Sequence, residues 1–444
     1  MRFTSFLLSL AVLLAAASGA TAQPSDAPIS LTDSLALDGT LRAVFDANPS
    51  LTQLQELVRQ SEARVAQNRT GLLPQVTGTA TYTRLDPVAK VNFPTGPGRS
   101  EELQFVPNNN YDVHVTAQYT LYDFGANKAR IAVAESQRTT AQTTMAVARR
   151  DLAYGAVQSY YAILALRESL RVADRQIADL SAHQREVETR VQGGVATRFD
   201  VSQTRVRVAQ AESQRLDLQN QLRQQEIQLA RLLHRPESTA PVRGRLTYAP
   251  QTGDEATLVA RAFEQRPELQ LARDNQRLSD AQAALTSVAN KPLLGVGAQV
   301  GGKNGYQPDI YQFRPNFTGV VQLTVPIFDG NKNRNQRVEA AAGQRAAAAR
   351  LLDVQEQVRA DVRSALAQLQ SQAARYDNAQ LQITLTQDAL TRAQTRQRAQ
   401  VGTNIDVLDA ETALAQARLA QLQATYGYLL GQYQLKRATG ESFE

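Results

Sequence analysis

The sequence offers few groups for covalent or metal chemistry. It has no cysteine and only three histidines, His114, His183 and His234. No two histidines stand at ligand spacing, and no nucleophile is grouped with a base and an orienting acid. Metal binding and catalysis are therefore poor readings, and no cofactor is expected. The lack of cysteine also removes disulfides and thiolate nucleophiles. What remains is turn chemistry and charge. Thr197-Arg198-Phe199-Asp200 and Thr403-Asn404-Ile405-Asp406 are capping boxes, in which a threonine and an acid three residues later satisfy the first N–H groups of a helix. Gly193 and Gly194 precede the first box and Gly402 the second, as residues able to end a helix in a left-handed turn. Asp409 lies outside either box. Its counterpart 206 residues earlier is Gln203, so this charge does not belong to the shared pattern.

These turns interrupt very long helical stretches, about 126–192 and 331–399 before them and shorter ones after them. No proline occurs between Pro107 and Pro236 or after Pro326, and each long stretch holds one glycine, Gly155 or Gly343. Their Ala, Gln, Arg, Leu and Glu content favours helix, and at about 1.5 Å per residue each would reach roughly 100 Å. The shorter helices at about 50–71 and 198–234 would stack end to end beside the first long helix, and their counterparts beside the second. After residue 403 small and apolar residues form two stripes, one through Leu408, Ala415, Leu419, Leu422, Tyr426 and Leu429, the other through Val407, Ala410, Leu414 and Ala417. Such a helix packs neighbours on both sides.

Ahead of each long helix the period changes to two. In 75–83 Gln75, Thr77, Thr79, Thr81 and Thr83 face one way and Val76, Gly78, Ala80 and Tyr82 the other. The segments 111–122, 294–300 and 317–327 alternate likewise, as transmembrane barrel strands must. Tyr82, Tyr119, Tyr122, Phe124 and Phe328 suit the interfaces. The stretches 85–110 and 301–316, rich in Pro, Gly and Asn, read as exposed loops.

The chain is a duplication. Pro49 and Pro267, and Pro74 and Pro292, are 218 apart; Gly125 and Gly330 are 205 apart; Asp200 and Asp406 are 206 apart. About 13 extra residues thus lie in the first copy between its second proline and its glycine. Residues 1–22 read as a signal peptide, with Arg2, an apolar run over 6–17 and the small-x-small site Ala20-Thr21-Ala22. The first repeat spans 23–236, a linker 237–253 and the second repeat 254–444. No later apolar run is of spanning length, so a bilayer could be crossed only by a closed barrel. The net charge of +6 is diluted over 444 residues, with no dense basic block for nucleic acid.

The duplicated order of "NPSL" at 48–51, "LLPQV" at 72–76, "PIFDGNKNR" at 326–334 and "VGTNIDVLDAETALAQARL" at 401–419 resembles the outer-membrane factor family, the TolC-like export ducts. The likeness covers essentially the whole chain after the signal. It implies a mainly α fold with a β-barrel contribution. Long antiparallel helical hairpins would form a periplasmic tunnel, and four transmembrane strands per chain would close a 12-stranded barrel in a homotrimer. It implies an outer-membrane exit duct for efflux or type I secretion, partnered by a periplasmic adaptor (membrane fusion protein) and an inner-membrane transporter. On this resemblance Asp406 and Asp409 ring the pore constriction, attracting cations. Arg198 and Asp200 are candidate links fastening the tip gate. Gly193, Gly194, Val195, Ala196, Thr197, Val401, Gly402, Thr403 and Asn404 form the adaptor docking tips. A tyrosine that some members carry before the second turn is Gln397 here. The competing readings are a periplasmic coiled-coil structural or adhesin-like protein, which leaves the matched strand pairs unexplained, and a single-chain barrel, for which four strands are too few.

Overall fold

The computed structural model describes residues 36–235, 242–250 and 253–443; the signal-peptide reading, and part of the linker, lie outside them. Each repeat runs through a short helix, a medium helix, a strand pair, a very long helix and a final helix. In the first these are α1 (Leu37–Ala47), α2 (Pro49–Arg69), β1 (Gln75–Arg84), β4 (Asn109–Tyr122), α3 (Ala126–Gln192) and α4 (Arg198–Leu232). In the second they are α5 (Glu255–Gln265), α6 (Pro267–Val288), β5 (Leu293–Lys303), β6 (Arg314–Thr324), α7 (Lys332–Arg398) and α8 (Asn404–Thr439). Pro49 and Pro267 open α2 and α6 at the first turn, where a missing N–H costs nothing. Helices α2 and α4 both pack on α3, and α6 and α8 on α7, with α3 in turn against α6 and α8.

The segment 85–110 is more than a loop. It holds a hairpin, β2 (Lys90–Gly96) and β3 (Arg99–Gln104), paired antiparallel apart from the main sheet and turned at Gly98 with φ +80°. The extra residues of the first repeat therefore fold on themselves.

The main sheet has the order β1-β4-β5-β6, antiparallel throughout. Its register keeps the two faces in line across the repeats. One cross-strand row reads Gly78, Val115, Val300, Phe317; the adjacent row reads Thr77, Thr116, Gln299, Thr318. The apolar face is open, with Phe317 and Val321 more than 70% exposed. Tyr82 stacks near Tyr111 at the end remote from the helices (5.2 Å), and Tyr122 meets Phe124 at the helical end (4.6 Å). From Tyr111 to Tyr119 is about 27 Å along a strand, or roughly 20 Å in height at the usual barrel tilt, within the roughly 25 Å apolar band of an outer-membrane barrel.

The strand-to-helix junctions correct the repeat alignment by one residue. Asp123 accepts from the Asn127 backbone N–H at 2.6 Å, and Asp329 from that of Asn333 at 2.9 Å. Both asparagine side chains donate back to the chain ahead of the strand pair, to Gly71 O just after α2 and to Thr286 O near the end of α6. The offset here is 206, as at the tips. Gly125 is thus matched by Asn331, not Gly330, and both stand in the left-handed region as N-caps (φ +89° and +67°). Asparagine tolerates that region, which hid the equivalence.

Burial divides unevenly between the copied helices. In α4 only Thr204, Ala211, Leu229 and Ala230 are buried, whereas α8 buries residues of both its stripes, among them Val407, Leu408, Leu414, Ala415, Ala417 and Leu429. The main core joins α1, α3 and α4 through Leu41, Val44, Val157, Tyr160, Ile163 and Leu229.

Candidate functional site

The two helical turns meet at one end of the molecule, opposite the sheet. At the first, the Gly194 N–H reaches Val191 O (3.0 Å) and the Val195 N–H reaches Arg190 O (2.9 Å), with Gly194 at φ +78°. This is a Schellman cap, and it satisfies carbonyls the helix end leaves free. At the second the same pattern is built without glycine. Gln400 takes the left-handed position at φ +64°, and the Val401 and Gly402 N–H groups both reach Arg396 O. Gly402 has a different duty: a Cβ there would lie 3.0 Å from both Arg396 Cβ and the Gln397 backbone nitrogen. The glycine permits close approach, and the positive φ expected of it belongs to Gln400.

Both capping boxes are present. Thr197 and Asp200 exchange bonds through backbone N–H groups at 2.9 and 3.2 Å, and Thr403 and Asp406 at 2.9 and 3.3 Å. The Thr403 backbone N–H, with its hydroxyl, holds the Asp406 carboxyl below its ordinary value. Asp406 thus serves the helix start. Asp409 also has a partner within the chain: Arg207 of α4 donates to it at 2.9 Å, while the carboxylate stays 63% exposed. Arg198 is exposed and Asp200 partly so; Asp200 is engaged by its own box, and the Arg198 guanidinium has no partner among the described residues.

Sequence reading set His183 aside, yet it anchors the tip. Its Nε2 lies 2.8 Å from Asn404 Oδ1, both residues being buried, and the Asn404 amide donates to Asp200 O and approaches Thr204 Oγ1. One side chain at the start of α8 thereby joins α3, α4 and α8. The Arg190 guanidinium donates to Gln397 O at 3.1 Å, tying the end of α3 to that of α7. Two turns up α8, Glu411 is buried with its Oε2 unpartnered. Burial, with Asp179 and Glu186 nearby, pushes its carboxyl up to about 7. The surface of the turns is apolar in a repeated way: Val195 and Phe199 in the first, Val401 and Ile405 in the second, all exposed and each pair 206 apart. Phe199 and Ile405 were passed over in the sequence because they sit inside the capping boxes. The repeat offset was the signal that could have found them.

The model of the outer membrane efflux protein family matches residues 41–234 and 258–441. This chain belongs to that family. Among its relatives, the pyoverdine export outer membrane protein OpmQ of Pseudomonas aeruginosa is 25% identical over 408 residues, covering 88% of this chain and 83% of the relative. The outer membrane efflux protein BepC of Brucella suis is 23% identical over 450 residues, covering 99% and 92%. Among solved structures, the outer membrane protein VceC of Vibrio cholerae superimposes with a TM-score of 0.76 at 19% identity, over 92% of this chain and 97% of that one. The CmeC outer membrane channel of Campylobacter jejuni gives 0.74 at 16%, over 93% and 90%. This chain is accordingly an outer-membrane efflux protein, with the strand region and long helical hairpins of the solved outer-membrane channels it superimposes on. Its family transports substrates and is not one of enzymes.

Proposed function

We propose that this efflux protein works as a homotrimer, the exit duct of a tripartite efflux or type I secretion system. An inner-membrane transporter and a periplasmic adaptor would deliver its substrate. The observation that carries this is the open sheet. Strands β1 and β6 end it with unpaired edges, while one face is apolar and the other polar. In a bilayer such edges must be satisfied by further strands. Three copies supply twelve, an even-numbered closed barrel, with the polar face inward.

At the other end the exposed Val195, Phe199, Val401 and Ile405, with Gly193, Gly194, Ala196, Thr197, Gly402, Thr403 and Asn404 around them, are the docking surface for the adaptor. Asp409 is the acid of the pore constriction, with Asp406 beside it chiefly as a cap. The Arg207 pairing makes the acid ring adjustable: rearrangement between α4 and α8 exposes or masks three carboxylates at once. Arg198 and Asp200 are proposed to link neighbouring helices at the closed tip.

Outer-membrane fractions should give a heat-sensitive trimer band, and a monomeric soluble species would reject this reading. In single-channel recordings Asp409→Asn should lower cation preference and Arg207→Gln should raise it. Unchanged selectivity in Asp406→Asn/Asp409→Asn would sink the acid-ring assignment. Phe199→Ser/Ile405→Ser, on the exposed surface of the turns, should abolish export while the trimer persists; unchanged export would reject the docking assignment.

A further inference from the structure

Residues 242–250 join the repeats as an extended strap laid across the helices. Arg167 of α3 donates to Val242 O at 2.7 Å, Tyr160 to Arg243 O, and Gln432 of α8 to Ala249 O at 2.8 Å. The strap alternates. Val242, Gly244, Leu246 and Tyr248 face the helices: Val242 is buried, Leu246 packs on the main core, and Tyr248 stacks on Tyr376 of α7 at 3.9 Å and 12°. A Cβ at Gly244 would come within 2.9 Å of Tyr160 Oη, so glycine sets how closely the strap lies. Arg243 and Arg245 take the outer side.

Below the strap is a cleft of about 1250 Å³ between α3, α7 and α8. Six arginines line it against two carboxylates, Glu168 and Asp174. Both carboxylates are already taken, by Arg171 and by Arg215. Among the described residues Arg175, Arg243 and Arg245 have no ion-pair partner, and Arg418 reaches only the neutral Gln387 at 3.4 Å. The backbone N–H groups of 244–249 also make no hydrogen bond to a described residue. The cleft thus offers cationic side chains and an extended backbone edge whose 244–249 N–H groups have no partner among the described residues, and it exceeds the roughly 300–1,000 Å³ of small-molecule pockets.

We propose that this cleft takes an extended acidic peptide segment of a partner protein. The segment lies along the strap as an added strand and sets its carboxylates against Arg175, Arg243, Arg245 and Arg418. An added strand gains main-chain hydrogen bonds, and guanidinium groups match carboxylates with paired donors. A phosphate polymer would meet the same charges but could not pair with the strap edge. The inference rests on the duct reading only for its compartment, which makes the partner periplasmic.

The test uses the full chain in detergent and a fluorescein-labelled decaglutamate followed by anisotropy at low salt. Saturable binding that salt weakens is expected. Arg175→Gln/Arg243→Gln/Arg245→Gln should weaken it by about tenfold or more, while Arg350→Gln/Arg363→Gln, distant from the cleft, should not. Arg245→Gln alone should weaken it about threefold and serves if the triple variant fails to fold. Equal binding of decaglutamine, or unchanged affinity in the arginine variants, overturns the proposal. So does a polyphosphate of matched charge binding as tightly as the peptide. Bilayer conductance of the triple variant should equal that of the unmodified protein, so failure of the duct reading would show there and not in the peptide assay.

Discussion

Replacing Glu411 by glutamine should stabilise the protein, by a margin that grows from about pH 4.5 to pH 7 and is constant above. The carboxyl is buried at the α3–α8 contact, one oxygen has no partner, and its chief charged neighbours, Asp179 and Glu186, are acids. Its value rises from 4.5 to about 7 on folding. The folded state therefore binds the proton more tightly than the unfolded chain. Stability is full below about pH 4.5, falls as the pH climbs through 4.5–7 and levels off above that. At about 1.4 kcal/mol per unit the shift from 4.5 to about 7 corresponds to at most about 3.5 kcal/mol. Glutamine keeps the shape and removes the charge. For a chain this long a kcal/mol moves the melting midpoint by about 1–2 °C, so Glu411→Gln should raise it by up to about 3–7 °C at pH 8 and by about 1 °C at pH 5. Thermal melts by circular dichroism across pH 5–8 would measure this. An equal or lower midpoint for the variant at pH 8 would refute the account, as would a gain that does not depend on pH.

Other expectations follow from the tip and the sheet. Asn404→Ala removes the buried amide shared by His183, Asp200 O and Thr204, and should cost about 2 kcal/mol, visible as a lower midpoint. Gln400→Gly relieves a left-handed non-glycine residue and should gain about 1 kcal/mol, read the same way; a loss would mean the glutamine side chain has a role of its own. Phe317→Arg, on the apolar face in the row of Val115 midway between Tyr111 and Tyr119, should cost about 2–4 kcal/mol near the bilayer midplane, appearing as reduced yield of assembled protein in outer-membrane fractions.

Much of the architecture was written in short-range patterns. The bounds of α3 fall where proline and glycine punctuation put them, and the alternation in 75–83 and 111–122 set the faces of the sheet before any pairing was known. Three things escaped. The hairpin β2–β3 carries no clean alternation, since Pro94 and Gly96 break it. The left-handed cap at Gln400 escaped because glutamine gives no hint of positive φ, and the nearby Gly402 drew the assignment. The His183–Asn404 contact and the Arg207–Asp409 pair join residues some 200 positions apart, and only the docking of one repeat on the other brings them together.

The strand order has a consequence for how such a sheet closes. Any ring built from this chain alternates two kinds of seam. The β4–β5 seam joins the halves of one polypeptide, so its strands meet at the high effective concentration of a tether. The seam between β6 of one chain and β1 of the next forms only on encounter, at the dilution of the membrane. An unduplicated half-chain would have to make every seam by encounter. Duplication moved half of them into the folding of a single molecule, and the rate of assembly should depend on chain concentration only through the other half.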